Sequence, residues 1–239
     1  ESAGRHCLWC DEPFVERITW NRLFNLSKDP PICEKCRQSL RFISGEICRY
    51  CGRMRERALE YYFHADVCHD CHRWESNPAW QGVLTKNRSL FVYNRFLKNI
   101  LSRYKFRGDI AVIEAVRDDW QSLLKNAPAD AVIVPIPLSS ERLYERGFNQ
   151  SLVLAQLLDR PLEDCLLRAN HEEKQSKKTR TERLETREDI FKLKEGVNVR
   201  GKKVIVIDDI YTTGATIRHA ARILLRAGAK SVSSYTLAR

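Results

Sequence analysis

The stretch most able to do chemistry runs Val204-Ile-Val-Ile-Asp208-Asp209-Ile-Tyr211-Thr212-Thr213-Gly214-Ala215-Thr216. An apolar strand leads into two carboxylates, then into small hydroxyl residues around a glycine, where a helix begins. The first-turn amides of a helix have no partner of their own, and its dipole makes that end positive. The pattern therefore predicts a cup for a phosphate. Gly214 lets the backbone come close to the anion without a Cβ. Thr212, Thr213 and Thr216 add hydroxyls, and Thr212 or Thr213 caps the helix. Tyr211 and Ala215 fall inside the same ligand-contacting run. Asp208 and Asp209 stand where a ribose would lie. They would accept hydrogen bonds from vicinal hydroxyls and help to order Mg2+, directly or through water. No Lys-Ser or Lys-Thr follows the glycine, which excludes a Walker-type loop.

A second group sits nearer the middle of the chain. The apolar run Ala131–Ile136 ends in Pro137, and Arg142 and Arg146 follow. Four residues apart, they share one helix face. Two guanidinium forks on one face suit a diphosphate or a nucleic-acid backbone, or simply a solvated surface. Asn149 and Gln150 read equally as caps or as polar contacts. The run from Glu172 to Arg183 is too polar to pack and reads as a mobile loop.

Eight of the nine cysteines form four Cys-x-x-Cys pairs: Cys7/Cys10, Cys33/Cys36, Cys48/Cys51 and Cys68/Cys71. Each pair offers two thiolates along one tetrahedral edge, so two pairs complete a zinc shell. The gap from Cys51 to Cys68 lies inside the roughly 15–20-residue ribbon range, and that from Cys10 to Cys33 is slightly longer. Sequential and cross-braced pairing both remain open. Two closed four-thiolate Zn2+ sites would be structural. His6, His69 and His72 neighbour the knuckles as substitute ligands, and Cys165 stands apart as a core residue. Around the second half of this array, Arg49, Arg53, Arg55 and Arg57 interleave with Tyr50, Tyr61, Tyr62 and Phe63. That mixture suits single-stranded nucleic acid, or a solvated hairpin with core aromatics. Arg218, Arg222 and Arg226 read as a solvated helix stripe.

These groups need a scaffold. Strand-like runs at Ser89–Tyr93, Ala131–Ile136, Lys203–Ile207 and Ser231–Leu237 alternate with helical periodicity at Asn94–Phe106, Ile110–Leu124, Leu143–Leu158 and Thr213–Ala227. Alternation of this kind implies right-handed βαβ units and an α/β fold on a parallel sheet, whose strand carboxyl ends are where ligands bind. Residues 1–75 are expected to form a zinc-binding double ribbon, 76–88 a linker and 89–239 the ligand domain.

The formal charge of +10 suggests a polyanionic partner; two tetrathiolate zinc sites would bring it to about +6. Hydrophobic residues at 43% support a real core. No stretch approaches the ~20 apolar residues of a membrane span, and no signal-like run opens the chain. Thiols in this arrangement point to a reducing cytoplasm.

The motif Asp208-Asp209-x-x-Thr212-Thr213-Gly214 resembles the phosphoribosyl pyrophosphate motif of type I phosphoribosyltransferases. The chain as a whole resembles one branch, the ComF family of competence proteins. Val134-Pro-Ile-Pro137, Arg142, Arg146-Gly-Phe-Asn-Gln150 and the cysteine array carry that resemblance. It implies a parallel-sheet phosphoribosyltransferase-like domain behind a small zinc-ribbon domain. It also implies phosphoribosyl pyrophosphate with Mg2+ as ligand, pyrophosphate near Arg142 and Arg146, and a lid in the polar run.

Two functions follow. One is a cytoplasmic competence protein that handles transforming single-stranded DNA beside a ComFA-type helicase at the membrane import machinery. The other is a working phosphoribosyltransferase with a nitrogen acceptor, in which Asp208 and Asp209 stabilise an oxocarbenium-like state. A purely structural adaptor is disfavoured because every motif residue is present. No C-terminal hood is expected; one would have to come from residues 75–110 or from the ribbons.

Overall fold

Strongly apolar strands form the centre of the molecule, and short cysteine-pinned pieces flank it. The computed structural model describes residues 5–15, 32–169 and 190–239. In the cysteine-rich part, strands β1 (Arg5–His6) and β2 (Pro13–Phe14) pair antiparallel, and helix α1 (Glu34–Gln38) starts at Cys33. After a 3-10 turn over Arg57–Tyr62 come β3 (Phe63–His64), its antiparallel partner β4 (Val67–Cys68) and helix α2 (His69–Glu75). Pieces this short cannot bury a core alone, so the cysteine clusters must organise them.

The second part comprises β5 (Asn87–Phe91), α3 (Arg95–Arg107), α4 (Ala111–Glu114), α5 (Arg117–Leu123), β6 (Val132–Pro135), α6 (Ser140–Arg146), α7 (Gln150–Gln156), β7 (Leu166–Arg168), β8 (Phe191–Leu193), β9 (Lys203–Ile210), α8 (Ala215–Arg226) and β10 (Ser231–Ala238). Four strands pair in the order β5-β10-β9-β6, all parallel. Alternate residues of β9 serve opposite faces. Ile205 and Ile207 pack with Leu101, Trp120 and Leu154 from α3, α5 and α7, whereas Val204 and Val206 pack with Ile217, Ala221 and Leu224 of α8. A strand covered on both sides has no polar face, which explains the unbroken apolar run.

Element ends follow local chemistry. Asn94 caps α3 by accepting from the Leu97 amide, and Gly108 at φ 64° closes it. Two expected helices are each broken. Leu143–Leu158 is instead α6 and α7, because Gly147 turns left-handed at φ 74° and Asn149 starts a new helix, accepting from the Ser151 amide. Ile110–Leu124 splits into α4 and α5 where Val116 leaves helical geometry at φ −120° and ψ 17°.

Between α2 and β5 the chain is tied down. Trp80 and Leu84 are buried, and the Thr85 amide donates to the Val232 carbonyl. The cysteine-rich part also meets the sheet domain directly. Trp9 Nε1 donates to the Val112 carbonyl, and Arg37 pairs with Asp119. No helix among the described residues is long and apolar enough to cross a membrane.

Candidate functional site

Strand β9 runs past the expected end at Ile207 and carries both acids. Asp208 is in register with Thr236 of β10, and Ile210 with Ala238. The carboxylates are therefore held by a sheet ladder rather than by a loop. Asp208 Oδ1 accepts from the Ser151 hydroxyl (3.0 Å) and from the Asp209 amide (2.9 Å), which leaves its second oxygen without a donor among the described residues. Asp209 Oδ2 meets the Lys105 ammonium of α3. Burial, and then the neighbouring Asp209 charge, push the Asp208 carboxyl up to about 8. Asp209 and burial likewise hold the Tyr104 phenol above its ordinary range, with burial the larger cause. The sequence pattern alone does not single out Lys105 or Ser151. Their signal was weak: one lysine on an amphipathic helix, and one serine just inside a helix start.

The cup follows at once. Thr212 and Thr213 are exposed, and Gly214 takes φ 80° as the N-cap of α8. The cap position is thus Gly214 rather than either threonine. Thr213 Oγ1 accepts only a long contact, 3.4 Å, from the Ala215 amide. A left-handed residue here is what glycine supplies cheaply. Tyr211 is 3% exposed and lies under the loop, so a Cβ on Gly214 would collide with its hydroxyl. Tyr211 thus shapes the loop from beneath, whereas Thr216, like Ala215, is half-buried on the first turn of α8.

Arg142 and Arg146 do share helix α6, but they are used differently. Arg142 is exposed, whereas Arg146 donates to Gln150 Oε1 (2.8 Å) and lies over the Phe106 ring at 5.5 Å. Asn149 Nδ2 donates to the Ile136 carbonyl, fixing the exit of β6. Arg168, at the end of β7, feels both the Arg142 and Asp208 charges; burial and Arg142 lower its pKa while Asp208 opposes them. Its place beside the site was not legible, because a lone arginine on a three-residue strand carries no periodic signal. The polar run Glu172–Arg183 lies outside the described residues.

The cysteines gather sequentially. Cys7, Cys10, Cys33 and Cys36 form one tetrad and Cys48, Cys51, Cys68 and Cys71 the other, with ligand atoms in each all within 4.8 Å of one another. Neither contains a histidine; His6 Nδ1 instead bonds the Asp11 carbonyl. Sulfur pairs such as Cys10–Cys33 at 3.7 Å and Cys51–Cys68 at 3.4 Å fit the ~3.8 Å edge implied by Zn–S bonds of about 2.3 Å. Cys165 is buried in the core, as expected.

Two surface readings change. Arg49, Arg53 and Arg55 are engaged within the fold: they lie over Tyr50, Tyr62 and Phe63 and pair with Asp66, Asp70 and Glu60 respectively. Arg218 is not solvated at all. It is fully buried, pairs with Glu75 at 3.2 Å and lies over Trp74. Arg222 lies over Trp80 at 4.2 Å. The second tetrad and α8 come together there, so an interface covers Arg218 and Arg222, whereas Arg226 at the end of the stripe is exposed as expected. Of the aromatics in the arginine-rich cluster Tyr61 stays exposed at 82%, and two further exposed rings stand elsewhere: Phe106 at 74% and Tyr144 at 92%, on α3 and α6 beside Arg142 and Arg146.

The Phosphoribosyl transferase domain model matches residues 145–239, and the Double zinc ribbon domain model matches residues 4–72. Over 236 residues the chain is 48% identical to Competence protein ComFC of Bacillus subtilis, covering 98% of this chain and 94% of that protein. The chain belongs to the ComFC family. Within that family it is also 35% identical to Competence protein ComFC of Streptococcus pneumoniae, over 98% of this chain and 99% of the relative. DNA utilization protein YhgH of Escherichia coli is 28% identical, covering 88% of this chain and 97% of its own length. Family membership accounts for the two-part architecture: a cysteine-rich unit with two thiol tetrads in front of a phosphoribosyltransferase-like parallel sheet.

Proposed function

We propose that this protein binds phosphoribosyl pyrophosphate, or a ligand sharing its ribose 5-phosphate end, through Asp208, Asp209 and the loop Tyr211–Thr216. One observation carries the reading: strand β9 delivers both acids at its carboxyl end directly before the left-handed Gly214 and the open first turn of α8. The loop amides and the Thr212, Thr213 and Thr216 hydroxyls receive the phosphate. The free Asp208 oxygen accepts from ribose hydroxyls, with Ser151 and Lys105 holding the two acids in place. Arg142, helped by Arg168, receives the pyrophosphate, and Arg146 positions α6 against α3.

Zinc fits the two tetrads, on the sulfur spacing given above. We infer two structural Zn2+ ions, held in a reducing cytoplasm and serving to fold residues 1–75, with 76–88 as connector and 89–239 as ligand domain. Mg2+ fits the acids less well. Asp209 faces an ammonium and Asp208 favours its protonated form, so a divalent cation held by the protein alone is a poor match.

The biological role we infer is in competence: uptake and handling of transforming single-stranded DNA, beside a ComFA-type translocase. The names of the relatives, two competence proteins and a DNA utilization protein, support the context. The exposed Phe106 and Tyr144 beside Arg142 and Arg146 combine stacking rings with phosphate-binding charge, the chemistry that single strands require. Calorimetric titration with phosphoribosyl pyrophosphate and Mg2+ tests the ligand reading. Asp208→Ala with Asp209→Ala is expected to abolish binding while the far-ultraviolet spectrum stays unchanged; equal affinity in the double variant refutes the assignment.

A further inference from the structure

Lys105 reaches the acid pair from a fixed base. It lies in the last turn of α3, directly after the buried Tyr104 and just before the cap Gly108. Leu97, Ile100, Leu101 and Tyr104 seal that helix into the core, and the Tyr104 hydroxyl donates to the Gln150 carbonyl at 2.7 Å. The opposing carboxylate is equally fixed. Alternate residues of a strand share a face, so Asp209 continues the Ile205–Ile207 face of β9, the one that α3 covers. The ammonium and Asp209 Oδ2 meet there, with the lysine side chain 18% exposed and the aspartate 7%.

We propose that the Lys105 ammonium is a resident counter-ion in the place of a divalent metal, so that the site takes phosphoribosyl pyrophosphate as the free anion, without Mg2+. The proposal deepens the sugar-phosphate reading and rests on it for the identity of the ligand.

Three observations carry it. The first is occupancy. No hydrogen bond of ordinary geometry reaches Asp209 Oδ2 among the described residues, and Lys105 is the cation that faces it. A second cation on that oxygen would stand beside a like charge in a site shielded from water, where repulsion is screened least.

The second is charge. Asp208 is buried, and its Oδ1 accepts from the Ser151 hydroxyl and the Asp209 amide. Burial, and then the Asp209 charge, keep its carboxyl largely protonated at neutral pH. The two acids together thus carry about one negative charge, which the ammonium cancels. Mg2+ gives up water reluctantly and is held by anionic oxygens, so a neutral cluster offers it little.

The third is spare donor capacity. An ammonium carries three N–H donors. Asp209 engages one side of Lys105 Nζ, and no other acceptor meets it among the described residues. The remaining donors can reach a ligand oxygen while Asp209 stays held, which is the bridging part a metal would otherwise play. Arg168, which feels both Arg142 and Asp208, adds with Arg142 the further positive charge that an unmetallated diphosphate needs.

The test uses the full-length, zinc-loaded chain in buffer passed over a chelating resin, which removes free divalent ions while leaving the protein's own zinc in place. Calorimetry with phosphoribosyl pyrophosphate is run with and without Mg2+, and electron paramagnetic resonance of Mn2+ reads metal binding with no ligand present. Wild type is expected to bind within about threefold equally in the two buffers, and to leave Mn2+ free. Lys105→Met keeps the stem and removes the charge. It should lose about tenfold or more in metal-free buffer, the size expected for one or two charge-assisted hydrogen bonds. It should regain most of that loss on adding Mg2+, and take up Mn2+. Lys105→Arg keeps a cation and should need no Mg2+. The counter-ion role is overturned if Mg2+ tightens wild-type binding beyond threefold, or if Lys105→Met binds in metal-free buffer as wild type does. The wild-type comparison needs no variant, so it decides the question even where Lys105→Met is unstable. If phosphoribosyl pyrophosphate binds no chain in either buffer while Mn2+ still separates Lys105→Met from wild type, the sugar-phosphate reading falls and the counter-ion stands. If Mn2+ does not separate them either, both fall.

Discussion

Trp74 donates its indole N–H to the carbonyl of Thr213 at 2.9 Å. Trp74 stands three residues after Cys71 on α2, and Thr213 belongs to the proposed phosphate loop. The next residue, Glu75, pairs with the buried Arg218 one turn into α8. The cysteine-rich unit is therefore fastened to the loop by two adjacent side chains, so its folding state bears directly on the ligand site.

That fastening can be broken from one side. Glu75→Ala leaves the Arg218 guanidinium, 0% exposed, without its carboxylate. Removing one partner of a buried pair typically costs about 3–5 kcal/mol. Denaturant titration of Glu75→Ala is expected to show a loss of that order. Glu75→Ala with Arg218→Met should recover part of it, because the stranded charge is gone. A single variant as stable as wild type would mean that Arg218 finds other compensation.

Metal content provides a second prediction. Elemental analysis of the purified chain is expected to return about two zinc ions, and Cys51→Ser about one. The second tetrad anchors α2, so Cys51→Ser should also weaken phosphoribosyl pyrophosphate binding by tenfold or more. Cys10→Ser, in the tetrad away from the loop, should weaken it much less. Equal losses from the two variants would argue against a specific link through Trp74.

Asp208 governs a pH dependence. Its folded-state value of about 8 lies above the ordinary value of 3.8. Between those limits the folded state holds a proton that the unfolded chain releases, so stability falls as pH rises through that window. The melting temperature of the ligand-free protein is expected to drop more steeply from pH 5 to pH 8 in wild type than in Asp208→Asn. Ribose hydroxyls favour the ionised carboxylate, so ligand affinity should rise with pH over the same range in wild type and stay flat in the variant. Parallel profiles for the two proteins would remove Asp208 as the titrating group.

The loop glycine is constrained twice, by its φ of 80° and by the Tyr211 hydroxyl beneath it. Gly214→Ala is expected to cost about 1–3 kcal/mol of stability and at least tenfold in phosphoribosyl pyrophosphate affinity. Thermal melts and calorimetry read both, and unchanged affinity would mean that the loop conformation does not matter to the ligand.

Single-stranded DNA binding should depend on the α3–α6 patch. Phe106→Ala and Tyr144→Ala are each expected to lose about 1–3 kcal/mol of oligonucleotide binding at low salt, the range for one stacked base. Gel shifts or fluorescence anisotropy measure this. Arg49→Ala, whose guanidinium already lies over Tyr50 and pairs with Asp66, should change little. The reverse ranking would return the interface to the cysteine-rich unit.

The motif, the fold class and the eight metal-type thiols were all legible in the linear sequence. Each rests on local pattern: an apolar run before two acids, alternation of strand and helix periods, and pairs of cysteines three apart. The termini of α3 were legible for the same reason, since Asn94 and Gly108 act on their immediate neighbours. What the sequence could not determine depended on partners distant in the chain. The pairing of Cys7 with Cys33, the burial of Arg218 by Glu75 and the Lys105–Asp209 contact each join segments far apart in order. A charge in a helical stripe reads as solvated until another element covers it. Only the tertiary structure decides that, because burial and pairing are properties of the packed chain and not of any residue's own neighbours.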